Sequence, residues 1–132
     1  MINKFEQAFV TNCIVKRMQD RLLFELSGKK RMNGIDRFSH NADEVLKAET
    51  ILAKSNQLSM DEILVISDHI SPETECYIAA HNENLDRRTC SFSEAAELVW
   101  GNGMPAIIIA EHFALIEMEQ CYGTPTRYIV RF

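Results

Sequence analysis

The spacing of apolar residues changes part-way along the chain, and this change constrains the fold more than any other feature. Residues 4–27 place apolar side chains three and four positions apart, as Phe5, Phe9 and Cys13 illustrate. This spacing predicts one long amphipathic helix. Gly28 follows as a stop signal, because glycine readily adopts the left-handed conformation that ends many helices.

Two more helix starts are predicted before the spacing changes. Asn41 is a capping residue for a second helix over 42–55. Ser59, with Glu62 three residues later, forms a capping signature for the segment 61–70. That segment is rich in β-branched residues, which favour strands, so its assignment stays open. We choose a helix because of the capping signature.

The second half of the chain has the pattern of strands. Residues 75–81 form a predicted strand, and Ser91 caps a short helix. Two apolar runs at 106–110 and 113–119 are separated by two polar residues, which predicts an antiparallel hairpin. Residues 127–132 form a final predicted strand. We expect this strand at an edge of the sheet, and a homodimer could form through that edge or through the first helix.

The order of these elements predicts the fold class. Helices come first and strands come later, which is typical of an α+β protein. We therefore expect N-terminal helices packed on one face of an antiparallel or mixed sheet of about four strands, formed mainly by the C-terminal half. With 132 residues, the chain has the length of a single globular domain spanning 1–132.

Charge is distributed unequally between the two ends. Residues 1–47 contain nine Lys/Arg and six Asp/Glu, a net charge of +3, whereas residues 48–132 contain five and thirteen, a net charge of −8. The basic excess concentrates in residues 28–40, which have no clear period and which we interpret as a loop. A basic loop offers counter-charges to an anionic partner. The candidate partner-binding residues are Lys29, Lys30, Arg31 and Arg37.

The composition argues against several other classes of protein. The four cysteines are irregularly spaced, so neither a zinc site nor a disulfide scaffold is predicted. We expect reduced, buried thiols and a cytoplasmic location. The longest uncharged apolar run, residues 104–110, is far shorter than the roughly 20 residues of a membrane span. No sequence motif requires a cofactor.

Two polar segments are candidates for catalysis or ion binding. The first is the loop 81–86 with His112, and the second is the hairpin that carries His112 between carboxylates. We favour turn formation as the explanation of the first segment, and solvent-exposed charge on the outer face of the sheet as the explanation of the second. The residues concerned are His81, Asn82, Glu83, Asn84, Asp86, Glu111, His112, Glu117 and Glu119.

The sequence supports three hypotheses for function. The leading one is a non-catalytic protein of the immunity, antitoxin or regulatory type, which binds a macromolecule, most readily another protein. A second hypothesis is nucleic-acid binding through the basic segment 16–37, although the overall net charge of −5 argues against it. A third is a small enzyme with a site near the loop 81–86, for which no catalytic motif is found.

Overall fold

The computed structural model describes residues 3–57, 59–66, 70–100, 103–119 and 125–132. In these residues six α-helices and six strands are found. The helices are α1 (Lys4–Cys13), α2 (Lys16–Leu26), α3 (Arg31–His40), α4 (Ala42–Val45), α5 (Met60–Ile66) and α6 (Phe92–Val99). The strands are β1 (Ile51–Ser55), β2 (Glu75–Ala80), β3 (Thr89–Ser91), β4 (Ala106–Ile109), β5 (Phe113–Glu117) and β6 (Arg127–Arg131).

The six strands form one antiparallel sheet in the order β1-β6-β5-β4-β2-β3. The α+β fold class is confirmed, with six strands where the sequence suggested about four. The predicted hairpin is present as β4 and β5. The final strand β6 lies between β1 and β5, so the expectation that it forms an edge is wrong; β1 and β3 are the edges.

The predicted second helix over 42–55 is much shorter than expected. Only α4 is helical, followed by a single turn of 3₁₀ helix at Ala48–Thr50, and the chain then enters β1. Ile51 pairs with Val130 across the neighbouring strand, so the last part of the segment joins the sheet. The ladder to β6 satisfies the backbone groups that a longer helix would have paired internally.

The long helix predicted over 4–27 is interrupted at two β-branched residues, Ile14 and Val15. Both have extended backbone conformations between α1 and α2. The Val15 N–H donates to the Val45 carbonyl at 2.8 Å, and the Lys47 N–H donates to the Cys13 carbonyl at 2.7 Å. These long-range hydrogen bonds replace helical ones, which a periodicity of apolar residues does not reveal.

Helices cover both faces of the sheet, which corrects the expectation of one covered face. Alternate side chains of each strand point to opposite faces. In β6, Tyr128 and Val130 pack beneath α1–α4, whereas Ile129 packs in a second cluster with residues of α5 and α6. The segment 61–70 is helical where it is described to Ile66, and residues 67–69 lie outside the described residues.

The basic segment 28–40 is not a loop, because most of it forms α3. Its buried residues Arg31, Ile35 and Phe38 follow helical spacing, but the polar residues between them obscure that pattern in the sequence. Gly34 faces α2 so closely that a Cβ atom at this position would lie 2.8 Å from the Cβ of Glu25. The absence of a side chain therefore permits the close contact between α2 and α3.

Candidate interaction face

The basic cluster is divided between the core and the surface. Arg31 is 4% exposed, although the sequence suggested that it binds a partner. Its Nε and Nη2 atoms donate to the two carboxylate oxygens of Asp86 at 2.7 and 2.8 Å, and Nη2 also pairs with Glu6 Oε2 at 2.5 Å. Nη1 donates to the Leu26 carbonyl at 2.9 Å. In this position Arg31 joins α1, α3 and the loop that follows β2.

The charges around Arg31 compensate one another. Burial by itself lowers the pKa of Arg31, but the hydrogen bonds and charges of Asp86 and Glu6 outweigh burial and raise it above the ordinary value. A buried arginine with two carboxylates retains its charge at any physiological pH. The role of Arg31 is therefore internal, and a partner has no access to its side chain.

Arg37 is also engaged within the protein. Its Nη1 atom donates to Glu25 Oε1 at 2.8 Å, and Nη2 lies 2.5 Å from Glu25 Oε2. The Glu25 side chain is 5% exposed and that of Arg37 is 34% exposed. This bidentate pair ties α2 to α3 and leaves part of the arginine accessible.

The other basic residues point outward. Arg17, Arg21 and Phe24 follow one another at positions i, i+4 and i+7 of α2, so they lie on one side of that helix. Lys29 and Lys30 are exposed in the turn that follows. We call these five residues the basic face. Its four cations form no ion pair within the described part of the chain.

Phe24 is the unusual member of the basic face, because 69% of it is exposed to solvent. A single exposed apolar residue is ordinary in a soluble protein. Here, however, the aromatic ring lies on the same helix face as two arginines that have no counter-ion within the described residues. An exposed aromatic ring beside cations combines apolar area with charge, which is the composition of protein interaction sites.

A small groove lies next to the basic face. It has a volume of about 120 Å³ and is formed by α2, α3 and α4. Arg17 and Glu44 at its mouth are exposed. Its apolar walls are Ile14, Met18, Leu22, Phe38 and Val45, and its polar lining comprises Arg17, Glu25, Arg37, Asn41 and Glu44. Arg17 therefore belongs both to the groove and to the basic face.

The structure offers little support for a catalytic site at the loop 81–86. Asp86 Oδ1 accepts from the Ala80 N–H at 2.9 Å and from Arg31, so both carboxylate oxygens are already used within the protein. His81 carries a buried Nδ1 atom that has no hydrogen-bond partner among the residues that the structure describes. His112 is exposed at the β4–β5 turn, where Nε2 lies 3.7 Å from Glu111 Oε1.

The charged residues of the hairpin, which we expected to be exposed to solvent, differ in how deeply they are buried. Glu117 is 1% exposed and accepts hydrogen bonds from Arg127 Nε and Nη2 at 2.9 and 2.8 Å, so the expectation of an exposed Glu117 is wrong. The Trp100 ring covers this arginine, with the guanidinium carbon 3.7 Å from the ring centre. Glu119 is partly exposed and contacts His40.

None of the described helices is both long and apolar enough to cross a membrane. Comparison of the chain with protein-family models, curated proteins and solved structures finds no match.

The sequence contained a signal for the basic face that composition alone does not reveal. Lys16, Arg17 and Arg21 extend the charged segment toward the N-terminus, but the arrangement that matters is the one-sided spacing of Arg17, Arg21 and Phe24. In a continuous helix over 4–27, Phe24 would count as one more apolar residue. The break before α2 and the exposure of Phe24 distinguish it from the core.

Proposed function

We propose that this protein is a non-catalytic binding protein whose basic face holds an acidic surface of another protein. The observation that carries the proposal is the exposure of Phe24 beside Arg17, Arg21, Lys29 and Lys30, which have no ion-pair partner among the described residues. Aromatic and arginine side chains dominate the binding energy of many protein interfaces. The four cations offer counter-charges to carboxylates and attract such a partner over distance.

The groove supplies a second element of recognition. Interfaces commonly place an apolar anchor of one protein in a pocket of the other, with charges around it. The apolar walls fit a single aliphatic side chain of the partner, and Arg17, which also lines the groove, offers a counter-charge to an adjacent carboxylate. The partner feature that this arrangement favours is an apolar residue flanked by acidic ones.

The charge of the remaining chain favours a protein over a nucleic acid. Residues 48–132 have a net charge of −8, and the whole chain has a net charge of −5. A phosphate backbone that extends beyond the basic face would meet this negative potential. An acidic patch on a protein has limited size and can carry an apolar anchor for Phe24 and the groove.

The proposal is tested by capture from a lysate of the source cell, with retained protein and retained nucleic acid analysed separately, followed by binding measurements with the captured protein after purification. The variant Lys29→Glu/Lys30→Glu reverses two charges of the basic face. The control Lys4→Glu/Arg131→Glu makes the same change of charge at two exposed residues outside α2 and the turn that follows it. We expect an acidic protein to bind wild type and the control, and to be lost from the Lys29/Lys30 variant.

Phe24→Ala separates the aromatic contribution from charge. We expect the affinity for the purified partner to fall about 30-fold, the size of a typical hot-spot loss. The free energy of unfolding should change by no more than about 0.5 kcal/mol, because the side chain is exposed. Capture of nucleic acid instead of protein, or equal binding by the Lys29/Lys30 variant, would overturn the proposal. Association of the protein only with itself would do the same.

A further inference from the structure

A second polar cluster lies apart from the basic face, where the end of α3 meets the chain just after β5. It consists of Asp36 and His40 of α3 and Glu119. One ligand atom from each of the three residues lies within 4.8 Å of the other two. His40 Nε2 is 2.9 Å from Glu119 Oε2, and His40 Nδ1 is 4.0 Å from Asp36 Oδ2.

The backbone that carries these three side chains is held in place from both sides. Asp36 and His40 are separated by one helical turn, so their side chains project from the same side of α3. The N–H of Glu119 donates to Ser39 Oγ at 3.4 Å, and Ser39 is 2% exposed. The chain after β5 is thereby attached to α3 through a contact outside the cluster, and the attachment fixes where Glu119 lies relative to His40.

We propose that Asp36, His40 and Glu119 form a binding site for Zn²⁺. An imidazole nitrogen and two carboxylate oxygens are ordinary ligands of this ion, and three protein ligands leave a position for water. Histidine distinguishes the cluster from a purely acidic one, because imidazole favours zinc over magnesium or calcium. The three side chains are about half exposed, so the ion and its water have direct access from solvent.

Binding requires a rearrangement, because one zinc ion bonds only one nitrogen of an imidazole ring. Glu119 lies beside Nε2 of His40, whereas the Asp36 carboxylate lies beside Nδ1, so the Asp36 side chain must rotate toward Nε2. The ion takes the place of the proton that the imidazole and the carboxylate share in their hydrogen bond, and the two ligand atoms separate to accommodate it.

The site is tested by titrating metal-free protein with ZnCl₂ in a calorimeter, with MgCl₂ as the comparison ion. Wild type should bind one zinc ion per chain at this site and should not bind magnesium. His40→Ala and Glu119→Gln should each weaken zinc binding at least about tenfold, since each removes a direct ligand. Both side chains are exposed, and urea unfolding of the metal-free variants verifies that they remain folded.

The matched control is His112→Ala, which removes another exposed histidine that also lies beside a glutamate. Zinc affinity in this variant should equal that of wild type. The proposal is overturned if wild type binds no zinc, if His40→Ala binds zinc as tightly as wild type, or if His112→Ala loses as much affinity as His40→Ala. This site does not depend on the proposed protein partner, so the two proposals can fail separately.

Discussion

Arg31 and Lys30 are adjacent in the sequence, and the structure predicts opposite consequences when each is replaced. Arg31→Met removes the cation from between Glu6 and Asp86, whose side chains are 1% and 6% exposed. It leaves two buried carboxylates without their counter-charge and the Leu26 carbonyl without its arginine donor. Breaking a buried ion pair by removing one partner costs about 3–5 kcal/mol. Lys30→Met changes an exposed side chain and should cost no more than about 0.5 kcal/mol.

Urea unfolding followed by circular dichroism measures both effects. With a denaturant slope of about 2 kcal/mol/M, the Arg31→Met loss corresponds to a midpoint lower by about 2 M, whereas that of Lys30→Met should be almost unchanged. Domains of this size have total stabilities of about 5–15 kcal/mol, so the first change is a large fraction of the whole. The triple variant Glu6→Gln/Arg31→Met/Asp86→Asn should recover part of the loss, because no charge remains buried without a partner.

The reasoning would be refuted if Arg31→Met and Lys30→Met had equal unfolding midpoints. It would also be refuted if the triple variant were no more stable than Arg31→Met alone, because the unpaired carboxylates would then not be the cause of the loss.

Three further predictions concern the packing and the titration of buried groups. Gly34→Ala should destabilise the protein by about 1–2 kcal/mol in urea unfolding. The new methyl group overlaps Glu25, and the cost of this overpacking exceeds the gain in helix propensity. Equal or greater stability of the variant would contradict the close contact between α2 and α3. Burial raises the pKa of Glu117 above its ordinary value of 4.5, so the folded protein favours the protonated carboxyl group. The stabilisation from this protonation is fully present below pH 4.5 and is lost as the pH rises through the folded-state pKa. The free energy of unfolding of Glu117→Gln minus that of wild type should therefore increase over this pH range, and a constant difference would contradict the shift. Burial raises the pKa of Cys13 and of Cys76 to about 12, so neither thiol should react with iodoacetamide at pH 8 in the native protein. Mass spectrometry should find both cysteines unmodified in the native protein and modified in urea. Rapid labelling of the native protein would contradict their burial.

Local signals in the sequence were sufficient where neighbouring residues determine the structure. Ser91 caps α6 as predicted, with its hydroxyl accepting from the Glu94 N–H at 3.2 Å. The apolar run before Glu111 and the one after it form adjacent strands of the sheet. In these cases the capping residue and the apolar period are themselves the cause of the local structure.

The errors occurred where distant parts of the chain determine the local conformation. Ile14 and Val15 leave the helix because the Val15 N–H donates to the Val45 carbonyl and the Cys13 carbonyl accepts from the Lys47 N–H, both about 30 residues away. Residues 51–55 become a strand because β6 is available for pairing. Sequence spacing describes one face of one element, and it does not show which of several distant segments will provide hydrogen bonds.

In the candidate interaction face, the sequence likewise does not show which charged residues are buried. Lys29, Lys30 and Arg31 are equivalent in the sequence as three consecutive cations. Only the approach of Glu6 and Asp86, from 25 and 55 positions away, brings Arg31 into the core. Glu117 and Arg127 are buried together in the same way, on neighbouring strands. A charge pattern predicts that an anion is bound, but not whether that anion belongs to the same chain.

The central claim is that the basic face binds an acidic protein, and the most direct measurement is the affinity of the captured, purified partner for three forms of the protein. Isothermal titration at low salt should give equal dissociation constants for wild type and Lys4→Glu/Arg131→Glu. The dissociation constant for Lys29→Glu/Lys30→Glu should be larger by about tenfold or more, since reversing charges at an interface costs more than about 1.4 kcal/mol. Equal affinity of all three forms would contradict the claim and place the binding site elsewhere on the protein.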